Sequence, residues 1–167
     1  MNLWDATSLI TCAKFQVDGR LVLDSALDVA KIVIPTEVQQ ETVDAGLVGG
    51  YLDAVEIKTR IDAQRIEVRP AARLSTPFEE VLDLYGLQEG DKAVVRLSLQ
   101  ATDADATITD DRLLLVVLRR CGREALFLPD FIERAVADSI FDASIGMRLL
   151  LAIRPRLPAG FIEHSLR

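Results

Sequence analysis

The sequence predicts an α/β fold of three layers, α/β/α, around a central parallel sheet, with a helical extension at the C-terminus. Three observations carry this reading. Short β-branched or alternating runs (Lys31–Ile34, Arg65–Arg69, Ala106–Thr109) are separated by longer segments with helical spacing. Half of the 167 residues are apolar (50%) and mean hydropathy is +0.23, which allows a packed core and excludes global disorder. No internal repeat or low-complexity tract interrupts the pattern.

The elements follow in order. Leu3-Trp4 is a short apolar stub that leads into Asp5, and Leu9–Phe15 reads as a helix. Leu21–Ala30 has mixed apolar spacing and is read as a helix. Lys31–Ile34 is a buried strand stopped by Pro35. Thr36 can cap the next helix, which Gly46 ends. Leu52–Ile61 is another helix, and Arg65–Arg69 a second strand closed by Pro70. Thr76-Pro77, with Glu79 three residues after the threonine, opens a helix to Tyr85. Glu89–Leu99 is helical, Ala106–Thr109 a strand, and Arg112–Cys121 a very apolar helix ended by Gly122. Ala125–Leu128 is a strand, Pro129 starts a helix to about Asp138, and Ala143–Ile153 forms the last one. The chain thus reads as one domain over residues 1–138. Residues 139–167 form a helical addition packed on it or at an interface.

Composition excludes several classes. There are 19 basic and 26 acidic residues, a net charge of −7, so a broad basic face for gripping phosphate backbones is not expected. Cys12 and Cys121 cannot build a disulfide framework, and no Cys/His cluster suits zinc. The single histidine, His164, makes a Ser-His-Asp triad improbable and reads as a surface residue. Leu113–Leu118 and Leu149–Ile153 fall far short of the roughly 20 residues that cross a bilayer. No targeting segment is visible. The expectation is a soluble, cytoplasmic protein with reduced thiols and no membrane partner.

The chemistry sits in the acids. In an open parallel sheet, ligands bind beyond the carboxyl ends of the strands, where strand order reverses. Asp5 follows the first stub, and Asp110 and Asp111 follow Ala106–Thr109. Glu41 lies on the helix after Lys31–Ile34, and Asp91 starts the helix that precedes Ala106–Thr109. If the first and Ala106–Thr109 strands are neighbours, these acids meet. Two carboxylates about 5 Å apart repel by roughly 3 kcal/mol at an effective dielectric of ~20. A shared cation removes that strain, and oxygen-only ligation points to Mg²⁺ or Mn²⁺. Such an ion suits phosphodiester hydrolysis.

These residues resemble the PIN domain nucleases. Leu3-Trp4-Asp5-Ala6-Thr7-Ser8-Leu9-Ile10 is similar to the family's opening, an Asp followed two residues later by a hydroxyl or amide residue, here Asp5 and Thr7. Ile34-Pro35-Thr36-Glu37-Val38-Gln39-Gln40-Glu41 resembles its "P…V…E" helix. Gly90-Asp91-Lys92-Ala93-Val94 resembles the "GE-x-A" start of one subgroup, with Asp in place of Glu. Thr107-Ile108-Thr109-Asp110-Asp111 resembles the strand end that carries the last acid, and Asp111 is the better match, with Asp110 beside it. The resemblance covers residues 1–138; segment 46–75 and the tail match nothing. It implies strand order 3-2-1-4-5 and a metal-dependent ribonuclease in which Asp5, Glu41, Asp91 and Asp111, with Asp110, hold Mg²⁺ or Mn²⁺. Thr7 and Thr109 become supporting hydroxyls. It also implies membership of a toxin–antitoxin pair of VapC-like type, with a basic antitoxin-like protein as partner and RNA as substrate.

Plainer readings stand beside these. Asp5 and Asp111 are good helix caps, Asp91 suits a helix first turn, and Glu41 alone is a solvated helix residue. Asp103 and Asp105 read as loop acids, Cys12 and Cys121 as small apolar groups, and Trp4 as packing. The Arg119-Arg120 and Arg154/Arg156 pairs are solvated faces and the first candidates for RNA contacts. Met147–Leu151 can bury against the domain or a second copy, which leaves a homodimer open. The alternative function is a PIN-like scaffold without turnover, a protein- or nucleic-acid-binding module. A phosphoaspartate hydrolase would need an acid where Thr7 stands, and no phosphate-cradling GxxxxGK[ST] loop exists.

Overall fold

The computed structural model describes residues 1–157, so His164 and the end of the tail lie outside the described residues. β1 (Asn2–Trp4) enters the sheet first and passes directly into α1 (Ala6–Lys14). A small antiparallel hairpin, β2 (Gln16–Val17) and β3 (Arg20–Leu21), leads to α2 (Val22–Val29). β4 (Ile32–Pro35) runs into α3 (Thr36–Gln39), a π-helical turn (Gln40–Asp44) and α4 (Ala45–Val48). α5 (Leu52–Asp62) and β5 (Ile66–Arg69) complete the first half. α6 (Thr76–Leu84) and α7 (Glu89–Gln100) return the chain across the sheet to β6 (Ala106–Ile108). α8 (Arg112–Arg120), β7 (Ala125–Leu126), α9 (Leu128–Ala137), α10 (Ala143–Ile153) and a 3-10 turn (Arg154–Arg156) follow.

The five-stranded sheet has the order β5-β4-β1-β6-β7, and every pairing in it is parallel. Counted by appearance in the sheet, that is third, second, first, fourth, fifth. Winding proceeds outward from β1 to β5, then restarts on the other side of β1. The reversal therefore falls between β1 and β6. Strands covered on both faces read as continuous apolar runs, and all four residues of β4 and all three of β6 are buried. Leu3 and Val33, paired in register, pack with Leu97 and Ala101 of α7. Trp4, Ile32 and Ile34 join the larger core with Leu9, Leu23 and Ile57. Trp4 meets Phe131 edge to face, with ring centroids 5.4 Å apart, and so packs as expected. Leu149, Leu150 and Ile153 of α10 are buried in this same core. No helix among the described residues is long and apolar enough to cross a membrane.

Several local expectations shift. The helix expected over Leu21–Ala30 begins at Val22, because Leu21 pairs with Gln16 across the hairpin. Its turn is Asp18-Gly19, with φ of 53° and 78°, the backbone that an Asp-Gly pair favours. Thr36 and Thr76 are not caps: Pro35 and Ser75 hold those positions without side-chain bonds. The strand expected over Ala125–Leu128 ends at Leu126, since Leu128 starts α9 with Pro129 in its first turn.

Glu79 also has a role that a capping box does not describe. Its carboxylate accepts from Arg96 Nε at 3.0 Å and from Arg96 Nη2 at 2.6 Å, and from the Leu74 N–H at 2.9 Å. Arg96 is only 2% exposed and also donates to Glu89 at 2.5 Å. This buried cation ties α6 to α7, and thereby fixes the helix whose first turn carries Asp91. Arg96→Ala is expected to cost about 2 kcal/mol in urea unfolding, because the partly buried Glu79 loses its two charge-assisted bonds, while exposed Glu89 is re-solvated. Arg96 holds Glu79 below its ordinary 4.5, at about 2. A depressed carboxyl pKa stabilises the fold above the ordinary value and ceases to as pH falls through the folded one. The difference between wild type and variant therefore narrows from about pH 4.5 towards pH 2. A loss under about 1 kcal/mol at neutral pH would show the pair to be a surface-type contact.

Candidate active site

Asp5 is the first residue beyond β1. Its N–H donates to the Ile108 carbonyl of β6 at 3.1 Å, so the strand pairing extends onto it. Its extended backbone (φ −84°, ψ 171°) makes it the N-cap of α1, and Oδ1 accepts from the Ser8 N–H at 2.8 Å. Oδ2 accepts from the Thr109 hydroxyl at 2.6 Å. The side chain is 1% exposed. Thr109 Oγ1 also accepts from the Asp111 N–H at 2.9 Å, so one hydroxyl joins the two strand ends. Asp111 caps α8 through the Leu114 N–H at 2.8 Å. The capping readings of Asp5 and Asp111 are thus met by the structure, and capping leaves lone pairs on both carboxylates.

Asp110 turns the other way. Its Oδ1 accepts from the Leu128 N–H at 3.3 Å, and its Oδ2 is buried with no hydrogen-bond partner. Ser8 Oγ is likewise buried and unpartnered. The Ser8 and Thr11 hydroxyls face Asp110 closely enough to favour its ionised form, although neither closes a regular hydrogen bond with it.

Glu41 and Asp91 approach from the other half of the sheet. Glu41 lies in the π-helical turn, where α3 passes α7. A methyl group placed on Gly90 would lie 2.7 Å from Glu41 Oε2, so the missing side chain is what lets this carboxylate sit against the start of α7. Asp91 follows, half-buried in the first turn. Asp111 and Glu41 are its nearest charged neighbours of like sign.

Burial sets the protonation of this region. Asp5 is raised from 3.8 to about 7, by desolvation first and also by the Asp110 charge, against the opposing bonds from Thr109 and Ser8. Asp91 is raised to about 6 by desolvation, then by Asp111 and Glu41. Asp110 is raised to about 6 by desolvation, which the Leu128 N–H and the Arg156 charge partly offset. Glu41 stays exposed along part of its side chain, yet the packing of its carboxyl raises its pKa too. Cys12 is pushed well above its ordinary value by burial and by Asp110 and Asp5, so it is a thiol in the core and no nucleophile.

The predicted acids thus reach one end of the sheet in two groups, Asp5 with Asp110 and Asp111 with Asp91 and Glu41, linked by Thr109. Among the described residues no three acidic, histidine or cysteine side chains form a ready-made ligand set. Thr7 is turned to solvent, and only its carbonyl is engaged, accepting from Thr11 Oγ1 at 2.8 Å. The hydroxyls that do reach this region are Thr109, Ser8 and Thr11. Counting from Asp5 as N-cap places Thr7 on the outer side of the first turn and Ser8 on the inner one, a geometry the Asp-x-Thr pattern does not state. Asp103 and Asp105 lie in an exposed loop, as expected, with Asp105 paired to the N-terminal amine. A separate cleft of about 270 Å³, lined by Asn2, Lys31 and Arg134, lies at the amino ends of the strands, away from these acids.

Two tests follow from this geometry. The folded pKa of Asp5 lies above its ordinary value, so its neutral form is the one the fold favours. Stability from this residue is complete below the ordinary carboxyl range and falls as pH rises through about 7. In chelator, Asp5→Asn is expected to melt several degrees above wild type at pH 8 and level with it near pH 4. A variant less stable at both would overturn the burial account. Gly90→Ala is expected to fold and to push the Glu41 carboxylate towards solvent, bringing its raised pKa down in a carboxyl NMR titration. An unchanged Glu41 titration would contradict the close approach.

No family model matches the chain, and no curated protein or solved structure is similar enough to register as a match. The residues and their geometry therefore carry the functional reading.

Proposed function

We propose that this protein is a metal-dependent ribonuclease of PIN type that hydrolyses phosphodiester bonds. The observation that supports it most is the meeting of acids from four separate segments at the carboxyl ends of β1 and β6, where the winding of the sheet reverses. Structure alone rarely asks for carboxyls at such a place, least of all one with a buried, unpartnered oxygen like Asp110 Oδ2.

The donor chemistry suits a hard divalent cation, since all are carboxylate oxygens and Asp110 Oδ2 has no hydrogen-bond partner; the two acid groups would have to close around the ion to ligate it together. Asp5, Asp110, Asp111, Asp91 and Glu41 would hold Mg²⁺ or Mn²⁺, and when bound the ion supplies charge neutralisation at phosphorus and a more acidic water. The chain's own groups do the rest. Thr109 holds Asp5 in one rotamer and fixes Asp111 relative to it. Burial and the charges of Asp111 and Glu41 raise the pKa of Asp91 to about 6, a repulsion that a bound cation would relieve. Pairing with a basic antitoxin-like protein belongs to the same proposal, and the net charge of −7 supports it.

Purified protein with Mn²⁺ is expected to cleave single-stranded RNA, and Asp111→Asn and Asp91→Asn to lower the rate by at least about 100-fold each. Equal cleavage by wild type and both variants would trace the activity to a contaminant and remove the proposal.

A further inference from the structure

A second feature adjoins the acids. A groove of about 360 Å³ runs between α1, the π-helical turn, the start of α5 and the 3-10 turn, within the ~300–1,000 Å³ range of ligand clefts. Glu41 forms its rim on the side of the acids. Lys14, Tyr51, Asp53 and Arg156 are the other charged or aromatic residues of its lining, and no sequence motif singles out Lys14 or Tyr51.

Lys14, Tyr51 and Arg156 are arranged for a specific kind of ligand. Tyr51 is 59% exposed, a large open area for an aromatic side chain. Gly49 leaves room behind the ring: a Cβ there would meet Tyr51 Cε2 at 2.7 Å. The Lys14 ammonium stands 5.9 Å from the ring centroid, and buried Asp53 tethers it at 3.8 Å. Arg156 makes no ion pair among the described residues and stands near enough to lower the pKa of Asp110. By contrast, Arg119 is engaged by the Ala125 carbonyl and Arg120 by the Tyr85 hydroxyl. A largely exposed aromatic ring that shares a groove with two cations offers surface for a flat base and contacts for neighbouring phosphates.

We propose that this groove binds single-stranded nucleic acid, with a base stacked on Tyr51 and neighbouring phosphates met by Lys14 and Arg156. Because Glu41 belongs to both the groove and the acid group, a strand lying there runs onto the carboxyl end of the sheet. The direction of that strand towards the acids rests on the ribonuclease reading; the binding itself does not. A flexible strand suits the groove better than a duplex, since its bases turn out from the backbone and stack.

The test is fluorescence anisotropy of a short labelled oligouridylate with the full chain, in chelator so that nothing is cleaved. Wild type is expected to bind, and Tyr51→Ala to weaken binding at least about fivefold. Lys14→Gln and Arg156→Gln are each expected to weaken it and to reduce the slope of log affinity against log salt by about 0.7. Arg134→Gln, at the far end of the sheet, is expected to change nothing. Unaltered binding in the three groove variants, an equal loss in Arg134→Gln, a preference for duplex, or no wild-type binding at low salt would each overturn the proposal. The two readings fail separately. Cleavage with Mn²⁺ despite normal binding by the groove variants removes the groove alone. Groove-dependent binding without any cleavage removes the nuclease alone.

Discussion

A carboxyl group sealed between two strand ends constrains everything around it. Asp5 is fully desolvated, which is costly for a charge and tolerable only with good partners. It has two: the Ser8 N–H, available only because α1 starts at that residue, and the Thr109 hydroxyl, available only because β6 is the neighbour of β1. Shift the register by one residue and Thr109 would turn to the opposite face of the sheet, leaving the carboxyl unpaired. The parallel pairing of β1 with β6, the cap of α1 and the position of Asp111 are thus parts of one hydrogen-bonded unit.

Helix starts reinforce that end of the molecule. α1 and α8 begin at Asp5 and Asp111, and the first turn of α7 contains Asp91. Their unpaired N–H groups and dipoles favour negative charge there. Desolvation nonetheless outweighs this at Asp5, Asp91 and Asp110, whose pKa values all rise. The carboxyls therefore sit closer to neutral pH than free ones, a condition suited to binding a cation or exchanging a proton, and costly for a group with only a structural part. The Arg96 ion pairs, one of them to Glu89 in the same first turn as Asp91, keep α7 and hence Asp91 in place.

The groove beside the acids completes the picture. A protein with a net charge of −7 cannot hold a polyanion by general attraction, so any grip must be local. Lys14 and Arg156, with Tyr51 between α4 and α5, bring two cations and an aromatic ring into one groove, whose lining also carries Glu41 and Asp53.

The sequence by itself determined the element types, most of their boundaries, and the acids worth watching. These are local matters: β-branched runs, prolines and glycines at fixed offsets, and short motifs whose order along the chain is visible. Even the caps at Asp5 and Asp111 were legible, because a cap is a relation over three residues. The Asp18-Gly19 turn of the hairpin is equally local, a relation between two neighbouring residues. Only the tertiary structure decided the rest: the division of the acids into two groups, the unpartnered Asp110 Oδ2, the exchange of Thr7 for Thr109 and Ser8, the π-helical turn under Glu41, and the groove. Each depends on which way a side chain faces once segments up to about a hundred residues apart are packed, as for Asp5 and Thr109 with a separation of 104. Spacing along one element carries no record of the partner that packing will bring to it.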